Sequence, residues 1–339
     1  GGRLMLPDRE LPGGQLEFDD DAIVYAGPPR PIPDDAEVID AADSIVAPGL
    51  IDLHLHGLRS FGVDGRAHRL AQLARTLPRY GITAFCPTSM CHVEPLKRVA
   101  EQIDTLKAGA RCLGLYIEGP FVNREKRGGI QDECIWAWDP DRLHRLFDDL
   151  HDRVALMTVA PEIEGGIDAV RAVVERGAVA ALGHSAAAPD DARRAADAGA
   201  RNVTHLFNAM SGVDHKRPGL ALAGLLRDDL FTEVNADGTH VHPDALRLIA
   251  RAKPAEKIVL ISDAVVGAGG GVGRFDYFGR EAEVTERGVY YTKGGTLIGS
   301  RFTLPEAILN YRRETGTPLY AAIAMATHNP ARLLGIDDR

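Results

Sequence analysis

A chain of 339 residues with 45% hydrophobic and 26% charged side chains can bury a sizeable core, as one large α/β unit with a satellite or as two or three smaller units. Its 39 Lys and Arg against 48 Asp and Glu leave a net charge of −9, which argues against nucleic acid or an anionic membrane as the main partner, because both want a basic surface. Four cysteines without a CxxC pair make no disulfide framework, no signal peptide is visible, and no apolar run reaches the roughly 18 residues that would span a bilayer, so a cytoplasmic protein is expected.

Residues 1–46 read as a small β-unit. Apolar stretches at 15–18, 23–26 and 38–41 sit between Gly, Pro and Asp breakers, with no long helical period. From residue 47 the pattern changes. Eight short apolar runs, at 50–55, 82–86, 112–117, 154–159, 179–182, 203–206, 231–234 and 258–261, alternate with amphipathic stretches at 67–79, 94–108, 141–149, 166–176, 190–198 and 243–252. Eight βα alternations over residues 47–327 predict a (β/α)8 barrel, an architecture of typically about 250 residues. A doubly wound open sheet would carry a glycine phosphate fingerprint after its first strand, and none is present. The glycine-rich run 267–273 reads as a loop, since no Lys-Ser/Thr follows it.

Six of the runs end in, contain, or lead into a residue that binds metal or moves protons. The first ends in His54 and is followed by His56; the third is followed by Glu118, the fifth by His184; the sixth contains His205; the seventh leads to Asp237 and His240, the eighth to Asp263. In a barrel the C-terminal strand ends form one rim, so residues scattered over the chain converge there. His-x-His on a strand places both imidazoles on one face. Singly, each has a structural reading: a satisfied core histidine, a helix N-terminal acid, a loop cap. Jointly, imidazoles and carboxylates at the ends of apolar strands must be paired or coordinated, and a divalent cation does this. Glu118, His184 and His205 leave an open position for water, whose pKa the cation lowers; Asp263 beside it would take the proton and hand it to a departing amine. That is hydrolysis of an amide or related C–N bond. His54 and His56 could hold a second ion, with Glu118 as bridge.

The segment APGLIDLHLHG at 47–57 resembles the first-strand signature of the amidohydrolase superfamily. YIEGPF at 116–121, LGHS at 182–185, NVTHLFNAM at 202–210, DGTH at 237–240, SDA at 262–264 and THNPA at 327–331 narrow the resemblance to the N-acetylglucosamine-6-phosphate deacetylase family. The resemblance implies an α/β fold, a TIM-like barrel with a small β-sandwich domain built from the chain ends, with residues 328–339 returning toward that domain and apparently truncated. It implies a homodimer that converts an N-acetylated amino-sugar phosphate, foremost N-acetyl-D-glucosamine 6-phosphate, to the free amine and acetate. It assigns Glu118, His184 and His205 to the main metal, His54 and His56 to a second, and Asp263 to acid–base catalysis. It assigns Gly129, Asn208, Ala209, Lys216, Arg217, His240, Leu297, Ile298 and Gly299 to the substrate. One or two divalent ions per chain are expected, zinc foremost, with iron, manganese and cobalt as other occupants of such a ligand set.

Two positions depart from the family pattern. In KRGGIQ at 126–131, Ile130 stands where a polar side chain is usual, with Gln131 one residue on. In HKRPG at 215–219, Lys216 stands where Arg usually holds the phosphate, often that of the neighbouring subunit; Lys is a point charge without the bidentate fork, and Arg217 follows it. Competing readings are an amidohydrolase for another N-acyl substrate lacking the 6-phosphate, and an inactive barrel scaffold. MTVAP at 157–161 lacks the lysine of carboxylated-lysine relatives, and the scaffold reading would expect Asp263 or several ligands to be lost.

Overall fold

The computed structural model describes residues 1–20, 22–63 and 69–337. His68 and the start of the stretch 67–79 lie outside the described residues. The eight apolar runs become eight strands: Leu50–Leu55, Ile82–Met90, Leu115–Glu118, Val154–Val159, Val179–Leu182, Asn202–Val203, Phe231–Asn235 and Ile258–Ile261. Each pairs in parallel with the next. The barrel closes where the eighth strand ends beside the first: the Asp263 N–H donates to the His54 carbonyl and the His56 N–H to the Ala264 carbonyl, both at 2.9 Å. Helices Val93–Ile103, Pro140–Asp149, Gly166–Glu175, Pro189–Asp197 and Pro243–Ala252 occupy the amphipathic stretches. A further helix, Leu220–Leu226, carries no amphipathic signal because LALAGLL is apolar on nearly every side; Leu220, Ala221, Ala223, Gly224 and Leu225 are all buried.

Inside the barrel, Leu53, Cys86, Tyr116, Leu156, Ala181, Phe231, Val259 and Ile261 form one apolar layer, into which Leu333 of the terminal helix His328–Leu334 packs. The Tyr116 hydroxyl then meets Thr204 Oγ1 at 2.8 Å, and Thr158 Oγ1 meets Thr204 at 3.1 Å, a polar layer that leads toward the rim.

The outlying elements differ from expectation in three respects. Arg3–Met5 pairs with Glu10–Pro12 and with Ile45–Val46, and Gln15–Asp19 forms a hairpin with Ala22–Gly27. Residues 38–41 form no strand: Val38 and Ile39 are exposed, and Ile45–Val46 takes the edge beside Arg3 and Leu4. The final stretch supplies a helix packed on the first and eighth barrel strands, where a return to the small β-unit was expected. The glycine-rich run is a loop as far as Val272, but an unexpected antiparallel four-stranded sheet, Gly273–Tyr277, Arg280–Val284, Val289–Tyr291 and Leu297–Gly299, follows it.

The THNPA motif has a structural explanation. Buried Asn329 donates from Nδ2 to the Ala255 and Ile258 carbonyls at 2.8 and 2.7 Å, which ties the terminal helix to the eighth strand. Asn329→Ala leaves both acceptors without that donor and is expected to cost about 1–3 kcal/mol. The measurement is a denaturant midpoint that falls while the slope of the transition holds; an unchanged midpoint would mean the tie contributes nothing.

Candidate metal centre

Three strand ends turn sharply inward at the rim. His184, His205 and Asp263 have φ of +47°, +28° and +49°, a left-handed backbone that costs a non-glycine residue about 1–2 kcal/mol. Such strain persists only where surrounding structure holds it. Gly183 permits part of this: a Cβ there would sit 2.7 Å from Thr204 Cβ. Gly299 does the same beside Asp263, where a Cβ would meet the Asp263 carbonyl oxygen at 2.9 Å.

The result is two groups of three. Glu118 Oε1 lies 2.8 Å from His184 Nε2 and 2.9 Å from His205 Nε2, and the two imidazole nitrogens are 3.1 Å apart. That spacing is close to what ligands sharing one ion through bonds of about 2.0–2.2 Å present. The second group is His54, His56 and Asp263, with Asp263 Oδ1 at 3.7 and 3.4 Å from the two Nε2 atoms. Glu118 joins the groups: its Oε2 is 3.7 Å from His56 Nε2 and its Oε1 is 4.0 Å from His54 Nε2. All six side chains are buried.

A cation fits here on two counts. His54 Nε2 is buried and has no hydrogen-bond partner, although it points into the carboxylates. Glu118, Glu233, Asp237 and Asp263 are buried around the cluster, and among the described residues no Lys or Arg lines the cleft to offset them. Burial alone pushes the Glu118 and Asp263 carboxyls up, but the neighbouring imidazoles outweigh it. Glu118 ends well below the usual carboxylate range, and Asp263 falls to about 2. Asp263 is therefore ionised at neutral pH.

His240 completes the rim. Its Nδ1 is 2.7 Å from Asp237 Oδ2, and its Nε2 is 3.4 Å from Asp263 Oδ2. Asp237 Oδ1 also accepts the N–H groups of Thr239 and His240, which locks the turn. Burial pulls the imidazole pKa down, and the Asp237 carboxylate outweighs it, so the net direction is upward.

The cleft over these groups is lined by Gly129, Asn208, Ala209, His240, Leu297 and Ile298 from the expected substrate set. Gly299 lies behind them against Asp263. Lys216 and Arg217 stand apart: both are exposed, their N–H groups donate to Asp214, and neither lines this chain's cleft. Ile130 does line it, with Met90 and Tyr277, whereas Gln131 does not. Trp136 and Trp138 pack elsewhere, under the Arg142 guanidinium and against Phe121.

Sequence reasoning passed over Glu233, Asn235 and Asn202. Glu233, fully buried in the seventh strand, reaches His54 Nδ1 at 3.1 Å. Asn235 Nδ2 lies 3.0 Å from His240 Nδ1. The sequence shows only a charged residue within a short strand; closure of the barrel removes the solvated face that would otherwise account for it.

The sequence pattern of the amidohydrolase family matches residues 45–339. The chain is 34% identical over 359 residues to N-acetylglucosamine-6-phosphate deacetylase of Homo sapiens, a match covering 99% of this chain and 85% of that protein. It is equally 34% identical over 342 residues to N-acetylgalactosamine-6-phosphate deacetylase of Escherichia coli O157:H7, covering 99% and 89%. The crystal structure of N-acetyl-D-glucosamine-6-phosphate deacetylase from Mycobacterium smegmatis matches with a TM-score of 0.88 at 29% identity, over 98% of this chain and 89% of that one.

Proposed function

The chain belongs to the amidohydrolase family, within its N-acetylglucosamine-6-phosphate deacetylase branch, and from that premise we propose that it hydrolyses the acetamide of N-acetyl-D-glucosamine 6-phosphate to D-glucosamine 6-phosphate and acetate. The observation that carries this is the meeting of Glu118, His184 and His205 with Asp263 in one buried cluster at the barrel rim. The enzyme is metal-dependent, as its family is; we assign zinc as the ion, held by Glu118, His184 and His205, with His54, His56 and Asp263 for a second. When bound, such an ion supplies a Lewis acid and brings the pKa of water toward neutrality.

The protein's own groups do the rest. Asp263 takes a proton from the attacking water and returns it to the nitrogen as the C–N bond breaks. His240, oriented by Asp237, presents Nε2 beside Asp263, where the scissile carbonyl and its developing charge would lie. Asn208, Gly129 and Ala209 line the cleft and would face the sugar. Lys216 and Arg217, exposed and outside this cleft, are read as phosphate ligands for the cleft of a second copy in a homodimer. Four free cysteines support a cytoplasmic setting, and no helix among the described residues is long and apolar enough to cross a membrane.

A second reading, the galactosamine epimer, is favoured by the equal identity to the Escherichia coli relative. Acetate release should be measured from N-acetylglucosamine with and without the 6-phosphate, and from N-acetylgalactosamine 6-phosphate. The phosphate is expected to raise kcat/KM by about 10–100-fold, the worth of one or two charge-assisted contacts. No preference for the phosphate would return Lys216 and Arg217 to the solvent face, and preference for the galacto epimer would replace the first reading by the second.

A further inference from the structure

We propose that Glu233 is a positioning residue for the metal centre: one buried carboxylate that aims His54 into the second ion site and ties that site to the first through the backbone of His205. The inference deepens the metal-dependent reading above.

Glu233 sits in the seventh strand with none of its surface exposed. Residues alternate across a strand, and Phe231, Glu233 and Asn235 share its inward face: Phe231 belongs to the interior layer and Asn235 reaches His240. Thr232 faces the other way, donating to the Gly224 carbonyl of the flanking helix. A carboxylate in the middle of the inward face has no route to water and must be fully satisfied inside. Three groups meet it. Asn202 Nδ2 donates to Oε1 at 2.7 Å, and the His205 N–H donates to Oε2 at 3.2 Å. His54 Nδ1 lies 3.1 Å from the same Oε2.

The two obligatory donors, an amide NH2 and a backbone N–H, identify Glu233 as the acceptor. The hydrogen of His54 then belongs on Nδ1, toward Glu233. The lone pair is left on Nε2, and that is the buried atom with no hydrogen-bond partner, facing Asp263 and Glu118. A carboxylate on the far nitrogen of a ligating imidazole sets its tautomer and ring orientation and strengthens it as a ligand. Here the same oxygen also holds the backbone N–H of His205, at the left-handed turn that swings that imidazole against Glu118. No other described side chain contacts His54 Nδ1 within hydrogen-bond distance.

The test is ion binding by the full-length chain, read without substrate, so a wrong substrate assignment and a wrong role for Glu233 give different failures. Metal-free protein is titrated with cobalt(II), followed by its visible absorbance, and zinc content is counted after equilibrium dialysis. Wild type is expected to take two ions in distinguishable steps. In Glu233→Gln the weaker step should lose affinity about 10–100-fold, the usual effect of removing such an outer partner, while the tighter step moves less. In a His54→Asn background Glu233→Gln should add no further loss at that step, because the partner it acts through is gone. Asn202→Ala, which loosens Glu233 without touching either triad, should shift the weaker step in the same direction, and decides the matter if Glu233→Gln does not fold. An unchanged two-step curve in Glu233→Gln, or equal loss at both steps that persists in the His54→Asn background, would reduce Glu233 to a tie between strands. A wild type that takes up a single ion would overturn the proposal outright.

Discussion

Asp263→Asn is expected to lower kcat by about 10²–10⁴-fold while leaving the ion at Glu118, His184 and His205 in place. The substitution keeps the shape of the side chain, so the backbone turn at φ +49° and the bond from the Asp263 N–H to the His54 carbonyl survive. What it removes is the ability to accept a proton. The native carboxyl is held down to about 2 because His56, His54 and His240 outweigh burial, so it is ionised throughout the neutral range. An amide in that place has no basic oxygen, and its NH2 brings two donors against the imidazole nitrogens. KM should move less than kcat, since Asp263 acts on the proton and not on the sugar. Turnover within a few-fold of wild type, with the ion at Glu118, His184 and His205 retained, would remove Asp263 from the acid–base role.

How far the site could be read from sequence depends on what surrounds each residue. Parallel barrel strands are buried on both faces, so they appear as uninterrupted apolar runs, and any titratable group at the end of such a run stands out. That is why His54, Glu118, His184, His205 and Asp263 were found together although 209 positions separate the first from the last. The strand pairs confirm the order of the runs; the lengths changed where local geometry intervened. The second strand runs on to Met90, whose backbone pairs with Glu118, and the sixth shrinks to Asn202–Val203 because the chain must turn to present His205.

Glu233 was passed over for the opposite reason. Phe-Thr-Glu-Val-Asn mixes apolar and polar residues, and a mixed run ordinarily marks a strand with one solvated face, where a glutamate needs no explanation. Only the closed barrel shows that this strand has no solvated face. The inserted sheet at 273–299 was hidden by composition: Arg274, Asp276, Arg280, Glu281 and Glu283 crowd the outward positions, and glycines flank the turns, so the buried Tyr277, Ala282 and Val284 did not read as a pattern. Its position matters to function, since Tyr277, Leu297 and Ile298 line the cleft beside Ile130. Residues 38–41 failed differently. Their side chains are apolar, but a strand needs a partner edge, and Ile45–Val46 takes the edge beside Arg3 and Leu4.

Removal of metal by a chelator is expected to abolish turnover and to lower thermal stability in the same step. The electrostatics require both. Glu118, Glu233, Asp237 and Asp263 are buried around five imidazoles with no Lys or Arg lining the cleft among the described residues, and mutual repulsion of carboxylates in a low-dielectric interior is relieved by a divalent charge. An ion that binds the folded chain and not the unfolded one adds about 4 kcal/mol at a free concentration a thousand times its Kd. Zinc, manganese and cobalt returned one at a time to the metal-free protein should each raise the melting temperature, and the ion that also restores full turnover is the working one. Glu118→Ala should mimic the chelated state, because among the described residues Glu118 is the one carboxylate within reach of His54, His56, His184 and His205, at 2.8 to 4.0 Å. Metal-free protein that melted at the same temperature and released acetate at the same rate would refute the metal centre itself, and with it the roles given to Asp263 and Glu233.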